Sequence, residues 1–349
     1  RGKRGLTMVI RSRAPTRIDF AGGTTDLPSF RNRETGAVIN AAVNRYAYCV
    51  LRQIEGNGVR IVSQDLGQFV EARDIRELEF DGNLDLLKAA VRALELPGGI
   101  EITVRCDAPP GSGTGSSASV GVAVLGLLDR LRQIESAERG SVMTRFEIAE
   151  LACRLEQDLG IVGGKQDQYA AAVGGFSYMR FVGDLVPVER IEVSASVLAE
   201  LEKHLVLCYS GQSRLSGDTN AKMISAYESG DPTVVNAMQS VARIAGDMYR
   251  ALLEEDLVWF GELLNEEWQA RSQLHSEVVT PKMAQLREAA LAAGAAGGKV
   301  CGAGGGGCIV FLANPDREGE VRQALSDAGG RVLDFSFDRR GLQVWESRS

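Results

Sequence analysis

The chain has 349 residues, of which 44% are hydrophobic, and a formal net charge of -7. That length predicts about two domains, and the acidic balance argues against a nucleic-acid partner, which requires a basic face. No apolar run approaches the roughly 20 residues of a membrane-spanning helix and no secretory signal pattern is seen, so we expect a cytoplasmic monomer or homodimer without a membrane partner.

The apolar patterns predict strands and helices in clusters rather than in strict alternation, which favours an α+β fold. We expect two domains, 8–190 and 191–349. We also expect Met8 to be the natural start, so that residues 1–7 are a loose tail or a remnant that does not belong to the natural chain. In chain order the predicted elements are strand-turn-strand over 9–20, a strand pair over 36–52, a helix over 81–95, a strand over 100–106, helices over 119–131 and 144–159, strands from 174 to about 193, a strand over 205–209, helices over most of 218–292 with a break at 230–232, a strand-hairpin-strand over 299–312, a helix over 317–328 and a strand over 331–337. For the helix over 144–159, Thr144 with Glu147 three residues on predicts a capping box.

The cysteines and histidines argue against disulfide and zinc chemistry. The six cysteines are scattered without a Cys-x-x-Cys pair, which is typical of buried, reduced thiols in a cytosolic protein. The chain has only two histidines, His204 and His275, so we expect neither a histidine-based zinc site nor a Ser/His/Asp triad.

The most informative segment joins the strand at 100–106 to the following helix. It contains three alternating glycines, which allow a tight turn with consecutive N–H groups facing one point, at a helix start whose dipole favours an anion. We therefore predict a phosphate-binding loop, although glycine- and serine-rich turns are also common connectors. The predicted contacts are Pro110, Gly111, Ser112, Gly113, Thr114, Gly115, Ser116 and Ser117.

The loop fits neither of two better-known phosphate motifs. A Walker A motif needs Lys followed by Ser or Thr, whereas Lys165 precedes Gln166 and Lys299 precedes Val300. A dinucleotide fingerprint needs a third glycine, where this chain has Ser116 or Ala118.

Three other segments carry candidate chemistry. Residues 17–27 hold Arg17 and Asp26 around adjacent glycines that allow a ligand to approach closely, and the alternative is an ordinary turn with a solvated carboxylate. Residues 155–169 hold Glu156, a carboxylate suited to Mg²⁺, and Asp167 beside Lys165, a cation that favours the ionised form of a general base. The alternative there is an exposed salt-bridged turn.

The third segment is the glycine-rich stretch 302–307 between two apolar runs. Glycines at such density cost folding entropy, so they indicate a backbone forced close to another loop or to a ligand. A merely flexible hairpin is the alternative.

Together these motifs resemble the GHMP kinase superfamily of small-molecule kinases. The three family motifs occur in order at Ala14–Arg17, Pro109–Ser117 and Gly302–Gly307. Within the superfamily, the chain is most similar to the D-glycero-D-manno-heptose 7-phosphate kinases, over 17–30, 164–172, 209–214 and 297–299.

The chain departs mildly from the family pattern. Thr114 stands where the glycine loop usually has Leu, and Ser119 where Ala is common. Thr24 stands where heptose kinases often have Gly, and it lies beside the sugar-binding segment. L-fucose kinases share a similar Ala-Gly-Gly-x-Thr-Asp stretch.

The resemblance implies a ribosomal-protein-like N-terminal domain, a ferredoxin-like C-terminal domain, and ATP and Mg²⁺ as cofactors. It implies Asp167 as the base for an anomeric hydroxyl and Arg17 and Lys165 as further catalytic residues. Ser117 and Glu156 are the implied Mg²⁺ ligands. The implied substrate contacts are Gly23, Thr25, Asp26, Arg214, Gly304 and Gly305.

The resemblance leaves three readings of the function. The first is phosphorylation of a heptose 7-phosphate, a small-molecule sugar phosphate, to the 1,7-bisphosphate. The second is an L-fucose- or galactose-type sugar 1-kinase. The third is a non-catalytic nucleotide or sugar sensor of the same fold, against which the joint presence of Arg17, Glu156 and Asp167 argues.

Overall fold

The structure is a computed structural model that describes residues 8–96, 98–135, 142–213 and 216–348, with the side chains of Met8, Ser216 and Arg348 left out of the description. Within these ranges, strands form an eight-stranded and a four-stranded sheet. The strands are β1 (Met8–Ala21), β2 (Gly36–Gln53), β3 (Val59–Ser63), β4 (Gln68–Ala72), β5 (Ile100–Cys106), β6 (Phe176–Phe181), β7 (Val188–Ile191), β8 (Leu205–Tyr209), β9 (Ala295–Val300), β10 (Cys308–Ala313), β11 (Arg331–Leu333) and β12 (Gln343–Arg348).

The helices flank these sheets. The predicted capping box of α4 is confirmed: Thr144 accepts a hydrogen bond from the Glu147 N–H, and the Glu147 carboxylate accepts one from the Thr144 N–H. The helices are α1 (Pro28–Arg31), α2 (Asp85–Ala93), α3 (Ser116–Glu135), α4 (Arg145–Asp158), α5 (Gln166–Val173), α6 (Ala195–His204), α7 (Ser216–Glu228), α8 (Pro232–Leu253), α9 (Leu257–Ser272), α10 (Pro281–Ala292) and α11 (Glu318–Asp327).

The large sheet has the order β12-β1-β2-β5-β3-β4, with β6 also paired to β2 and β7 paired to β6. Two predictions for it were wrong. Residues 8–21 form one strand, because a register shift between Pro15 and Thr16 accommodates the proline without a turn. Residues 36–53 also form one strand, because its first part pairs with β6 and its second part with β5.

The small sheet has the order β11-β8-β10-β9, and all its neighbours are antiparallel. In chain order, β8 is followed by helices, then by the β9–β10 hairpin, α11 and β11. This is the β-α-β-β-α-β arrangement of a ferredoxin-like unit, with further helices inserted after β8. The predicted α+β class and ferredoxin-like C-terminal unit are confirmed.

The two sheets share a hydrophobic core. Ile18 and Phe20 of β1 pack with Met248 of α8 and Phe260 of α9, and the Phe20 and Phe260 rings lie edge to face with centroids 5.3 Å apart. In addition, β12 returns from the end of the chain to pair with β1. The division at residue 190 stays a prediction, and the large sheet takes its outer strand from beyond that point.

Among the helices that the structure describes, none combines the length and the hydrophobicity needed to cross a membrane.

Candidate active site

A cleft of about 580 Å³ is lined by segments that lie between Arg17 and Gly306 in the sequence. Its walls come from the predicted phosphate loop, the segment between α4 and α5, the start of α7 and the β9–β10 hairpin. The three family motifs, the predicted base Asp167 and the predicted metal ligand Glu156 therefore lie at one place, although they are up to 290 residues apart in sequence.

The phosphate loop faces the cleft through its glycines. Gly111, Gly113 and Gly115 have φ angles of 66°, 72° and 75°, a left-handed conformation that favours glycine. They line the cleft together with Ser116 and Ser117 at the start of α3. The open N–H groups of this helix start can bind an anion.

The other three predicted loop contacts do not line the cleft. The Ser112 and Thr114 hydroxyls are buried and lie 2.7 Å apart, and the Thr114 carbonyl accepts a hydrogen bond from the Arg17 N–H. The Pro110 carbonyl accepts one from the Ser213 hydroxyl. These three residues hold the shape of the loop, and their side chains are not among those that line the cleft.

The glycine-rich hairpin packs directly on the phosphate loop. A Cβ added at Gly113 would lie 2.7 Å from the Cys301 carbonyl oxygen, and one added at Gly302 would lie 2.7 Å from the Gly113 carbonyl oxygen. The Cys308 N–H donates to the Ser112 carbonyl at 2.7 Å. Glycine is therefore required because two backbones are in contact.

Two hairpin glycines were predicted as substrate contacts, and they differ in position. Gly304 lines the cleft. Gly305 is not among the lining residues, and its N–H donates to the Val278 carbonyl at 2.8 Å.

Asp167 lies over the phosphate loop and is paired with Arg17. An Asp167 carboxylate oxygen lies 2.6 Å from Arg17 Nη2 and accepts from Arg17 Nε at 2.9 Å, and Arg17 Nη1 donates to the Gly113 carbonyl at 2.6 Å. A Cβ added at Gly115 would lie 3.0 Å from the Asp167 carboxyl carbon. The Asp167 side chain is 29% exposed and that of Arg17 only 4%, so Asp167 meets the cleft while Arg17 orients it.

The prediction that Lys165 is the cation beside Asp167 was wrong. Lys165 is buried, and its ammonium donates to the Glu150 carboxylate of α4 at 2.8 Å. It is not among the residues that line the cleft. Lys165 fixes the start of α5 to α4, and Arg17 supplies the positive charge next to Asp167.

Glu156 and Ser117 both line the cleft. Burial, together with the charge of Asp167, raises the pKa of Glu156 to about 7, and a hydrogen bond from Gln168 opposes this. A divalent cation would offset that unfavourable negative charge, so the site fits Mg²⁺.

The protein supplies few of the oxygens that Mg²⁺ needs. Within the described ranges, no group of three or more His, Cys, Asp and Glu side chains is arranged to hold a metal ion. Mg²⁺ commonly binds through one or two carboxylates together with nucleotide phosphates. Glu156 and Ser117, which both line the cleft, are the described residues that would hold Mg²⁺ in this way.

The predicted sugar segment has one carboxylate in the cleft. Asp26 lines the cleft and accepts from the Gln166 N–H at 3.0 Å. Its burial raises the pKa of Asp26 to about 6, assisted by the charges of Asp167 and Asp19. The segment therefore presents to the cleft a buried carboxylate whose ionised form is disfavoured by burial and by neighbouring carboxylates.

Two other members of that segment were predicted to touch substrate. The Thr25 hydroxyl is buried against the Gly22 and Ala37 carbonyls, and the Gly23 carbonyl accepts from Arg271 at 2.7 Å. Both residues shape the turn that presents Asp26, and neither is among the residues that line the cleft.

Arg214, the predicted phosphate contact, lies outside the described residues. On either side of it, the Ser213 hydroxyl contacts the phosphate loop and Gly217 lines the cleft. Asp218 and Asn220 of α7 also line the cleft and were not predicted, because single polar residues in a helical pattern carry no local signal for a site.

The chain belongs to the GHMP kinase family. The family model described as GHMP kinases N terminal domain matches residues 85–175, and that described as GHMP kinases C terminal matches 248–331. The chain is 31% identical over 346 residues to the D-glycero-alpha-D-manno-heptose 7-phosphate kinase of Campylobacter jejuni, which covers 96% of this chain and 98% of that protein. It is 27% identical over 334 residues to a bifunctional fucokinase/GDP-fucose pyrophosphorylase of Arabidopsis thaliana, covering 90% of this chain and 31% of that protein.

Solved structures agree with this assignment. A D-glycero-D-manno-heptose 1-phosphate kinase from Bacteroides thetaiotaomicron superposes with a TM-score of 0.80 at 31% identity, covering 97% of this chain and all of that one. Lactococcus lactis galactokinase, at 21% identity over 96% of this chain and 95% of that one, superposes with a TM-score of 0.78 and shares the fold.

Proposed function

We propose that this chain is an ATP-dependent sugar kinase that phosphorylates the anomeric hydroxyl of D-glycero-D-manno-heptose 7-phosphate to give the 1,7-bisphosphate. The similarity to the Campylobacter jejuni heptose kinase over nearly the whole of both chains supports this substrate. The name of the Bacteroides thetaiotaomicron relative places the phosphate of the acceptor at position 1 instead, so the position that is phosphorylated is the first thing to measure.

One observation carries the proposed reaction: a partly exposed carboxylate lies directly over an anion-binding loop. Asp167 lies against Gly115 of that loop and is held there by Arg17. A sugar hydroxyl next to Asp167 would then be close to the terminal phosphate of a nucleotide bound on the loop. Positioning and electrostatics provide most of the rate enhancement in phosphoryl transfer.

In the proposed step, the oxygen of the anomeric hydroxyl bonds to the γ-phosphorus of ATP, and Asp167 accepts the proton of that hydroxyl. The bond between the γ-phosphorus and the oxygen that leaves with ADP breaks. Arg17 keeps the carboxylate oriented and is close enough to the loop to offset charge on the transferred group. Ser117 and Glu156 would hold Mg²⁺, which neutralises phosphate charge when bound. Asp26 would accept hydrogen bonds from sugar hydroxyls.

A second candidate is a kinase for an unphosphorylated sugar, of the L-fucose or galactose type. Among the described residues that line the cleft, Arg17 is the only lysine or arginine, against the four carboxylates of Asp26, Glu156, Asp167 and Asp218. A sugar that already carries a phosphate would need a cation besides Arg17 to bind that phosphate. The predicted cation, Arg214, lies outside the described residues. Similarity to the fucokinase of Arabidopsis thaliana also favours this candidate.

The decisive experiment measures ADP formation with heptose 7-phosphate, heptose 1-phosphate, L-fucose, D-galactose and mevalonate, followed by ³¹P NMR of each product. We expect heptose 7-phosphate to be preferred and its product to show a new phosphorus signal coupled to the anomeric proton. Preference for fucose or galactose would support the second candidate instead. Turnover of none of the sugars would contradict both.

A further inference from the structure

A group of four charged side chains, the buried charge cluster, lies beneath the cleft between the two sheets. It comprises Asp19 of β1, Glu267 and Arg271 of α9, and Lys299 of β9, and all four side chains are at most 1% exposed. Lys299 Nζ lies 3.0 Å from Asp19 Oδ2 and 3.4 Å from Glu267 Oε1. Two positive and two negative charges balance, as buried charges require.

Each of the three guanidinium nitrogens of Arg271 donates at least one hydrogen bond. Nε donates to Glu267 at 2.8 Å, and Nη2 lies 2.7 Å from the same carboxylate oxygen and donates to the Gly23 carbonyl at 2.7 Å. Nη1 donates to the Thr24 hydroxyl and to the Gly302 carbonyl, both at 3.2 Å. Five contacts therefore reach four acceptor atoms, more than the three donors of a lysine could reach.

These acceptors belong to two segments that meet in the cleft. Gly23 and Thr24 lie three and two residues before Asp26, and Gly302 begins the hairpin that packs on Gly113 of the phosphate loop. Thr24 has a φ of 83°, which is unusual for a β-branched residue and persists where surrounding contacts fix it. Arg271 provides two such contacts, one to the Thr24 hydroxyl and one to the carbonyl of the preceding Gly23.

The charge of Arg271 is itself secured by the cluster. Burial alone lowers the pKa of Arg271, but Glu267 and Asp19 hold it above its ordinary value. The cluster also explains Gly23, because a Cβ there would lie 2.2 Å from Asp19 Oδ2. The sugar segment, the cluster and the hairpin are thus in direct van der Waals or hydrogen-bond contact.

We propose that Arg271 is a positioning residue that couples the sugar segment 22–27 to the glycine hairpin 302–307, so that a nucleotide on the phosphate loop orders the segment that presents Asp26. Arg271 acts through the Gly23 carbonyl, the Thr24 hydroxyl and the Gly302 carbonyl and is not a catalytic residue. The expected effect of Arg271 on catalysis rests on the proposed phosphoryl transfer. The coupling of the two segments does not depend on which sugar accepts the phosphate.

The test is Arg271→Lys, which keeps the charge and removes the simultaneous contacts. Without ligand, hydrogen–deuterium exchange in 22–27 and in 302–307 should be faster in the variant than in the parent enzyme. Addition of ADP should slow exchange in 22–27 of the parent enzyme, and it should do so much less in the variant. With any sugar that the parent phosphorylates, kcat/KM should fall about 10- to 100-fold for sugar and for ATP, since charged hydrogen bonds are lost to both segments.

The matched control is Arg31→Lys, because Arg31 is a second buried arginine that binds a carbonyl and a carboxylate, those of Gly183 and Asp184. This variant should change exchange only near its own contacts and leave the ADP effect on 22–27 intact. A merely structural role for Arg271 would lower thermal stability while leaving the ADP effect in place, and that result overturns the proposal.

Two further outcomes remain informative. If Arg271→Lys does not fold, the parent enzyme alone decides: ADP that leaves exchange in 22–27 unchanged contradicts the coupling, and ADP that slows it supports the coupling. A parent enzyme that rejects heptose 7-phosphate would defeat the proposed function, while the exchange result with ADP would still test Arg271 independently.

Discussion

Replacing Asp26 by asparagine should stabilise the free protein at neutral pH while weakening substrate binding. The Asp26 side chain is buried, with 2% of the residue exposed, and its pKa is raised from 3.8 to about 6. A shift of about two units corresponds to about 3 kcal/mol, at about 1.4 kcal/mol per unit. Asparagine keeps an acceptor for the Gln166 N–H and removes the charge.

The pH dependence follows from the direction of that shift. Since the folded-state pKa is above the unfolded one, the folded protein binds more protons between about pH 4 and pH 6 and loses stability as pH rises through that window. Below about pH 4 the carboxyl is protonated in both states. The stability advantage of Asp26→Asn should therefore be about 3 kcal/mol at pH 7 and close to zero at pH 4.

The assay is urea unfolding of parent and variant at pH 4, 5, 6 and 7, read by far-UV circular dichroism. The control is Asp184→Asn, because the Arg31 guanidinium lowers the pKa of Asp184, so its substitution should show no stability gain at pH 7. The same variants are compared in sugar kinetics, where Asp26→Asn should raise the KM for sugar about tenfold, the difference between a charged and a neutral hydrogen bond.

Two results would refute this reasoning. An Asp26→Asn protein that is less stable than the parent at pH 7 would mean that the carboxylate is stabilised by the fold. A stability difference that is constant from pH 4 to pH 7 would mean that the titration of Asp26 is not its cause.

The remaining predictions concern the catalytic and substrate-binding groups. Asp167→Asn should reduce kcat about 10²- to 10⁴-fold while leaving the ADP dissociation constant from calorimetry nearly unchanged, and turnover close to the parent rate would remove Asp167 from the mechanism. Glu156→Gln should raise the Mg²⁺ concentration for half-maximal activity much more than the KM for sugar, because Glu156 is assigned to the metal; the reverse pattern contradicts that assignment. Arg214→Ala should weaken use of a phosphorylated sugar roughly 10- to 150-fold in kcat/KM and leave saturation by ATP nearly unchanged, whereas an equal loss with an unphosphorylated sugar would argue against a phosphate contact.

The sequence by itself determined features that depend on neighbouring residues. The capping box at Thr144 and Glu147, the phosphate loop and the glycine hairpin were predicted from local patterns, because caps, left-handed turns and close backbone approach each demand particular residue types at fixed spacing. The family resemblance rested on the same motifs, and through it the ferredoxin-like unit was predicted correctly.

Tertiary structure decided which charged groups meet. Sequence proximity suggested Lys165 as the partner of Asp167, but side chains of neighbouring residues at a helix start point in different directions. Lys165 therefore binds Glu150 on α4, and Asp167 is paired with Arg17, which lies 150 residues away in the sequence. Nothing local assigned Arg271 to the site, because its ion pair with Glu267 has ordinary i,i+4 helical spacing and two of its other acceptors are backbone carbonyls, which every residue carries.

The course of the longest strands was also set at long range. The run 9–20 was predicted as strand, turn and strand. It became one strand because β2 accommodates a bulge opposite Pro15 and β12 returns from the far end of the chain to cover its outer edge. A strand edge is satisfied by whichever partner the fold brings to it, and the sequence of that strand does not encode the partner. Local motifs therefore identified the chemistry, and packing of distant segments fixed its geometry.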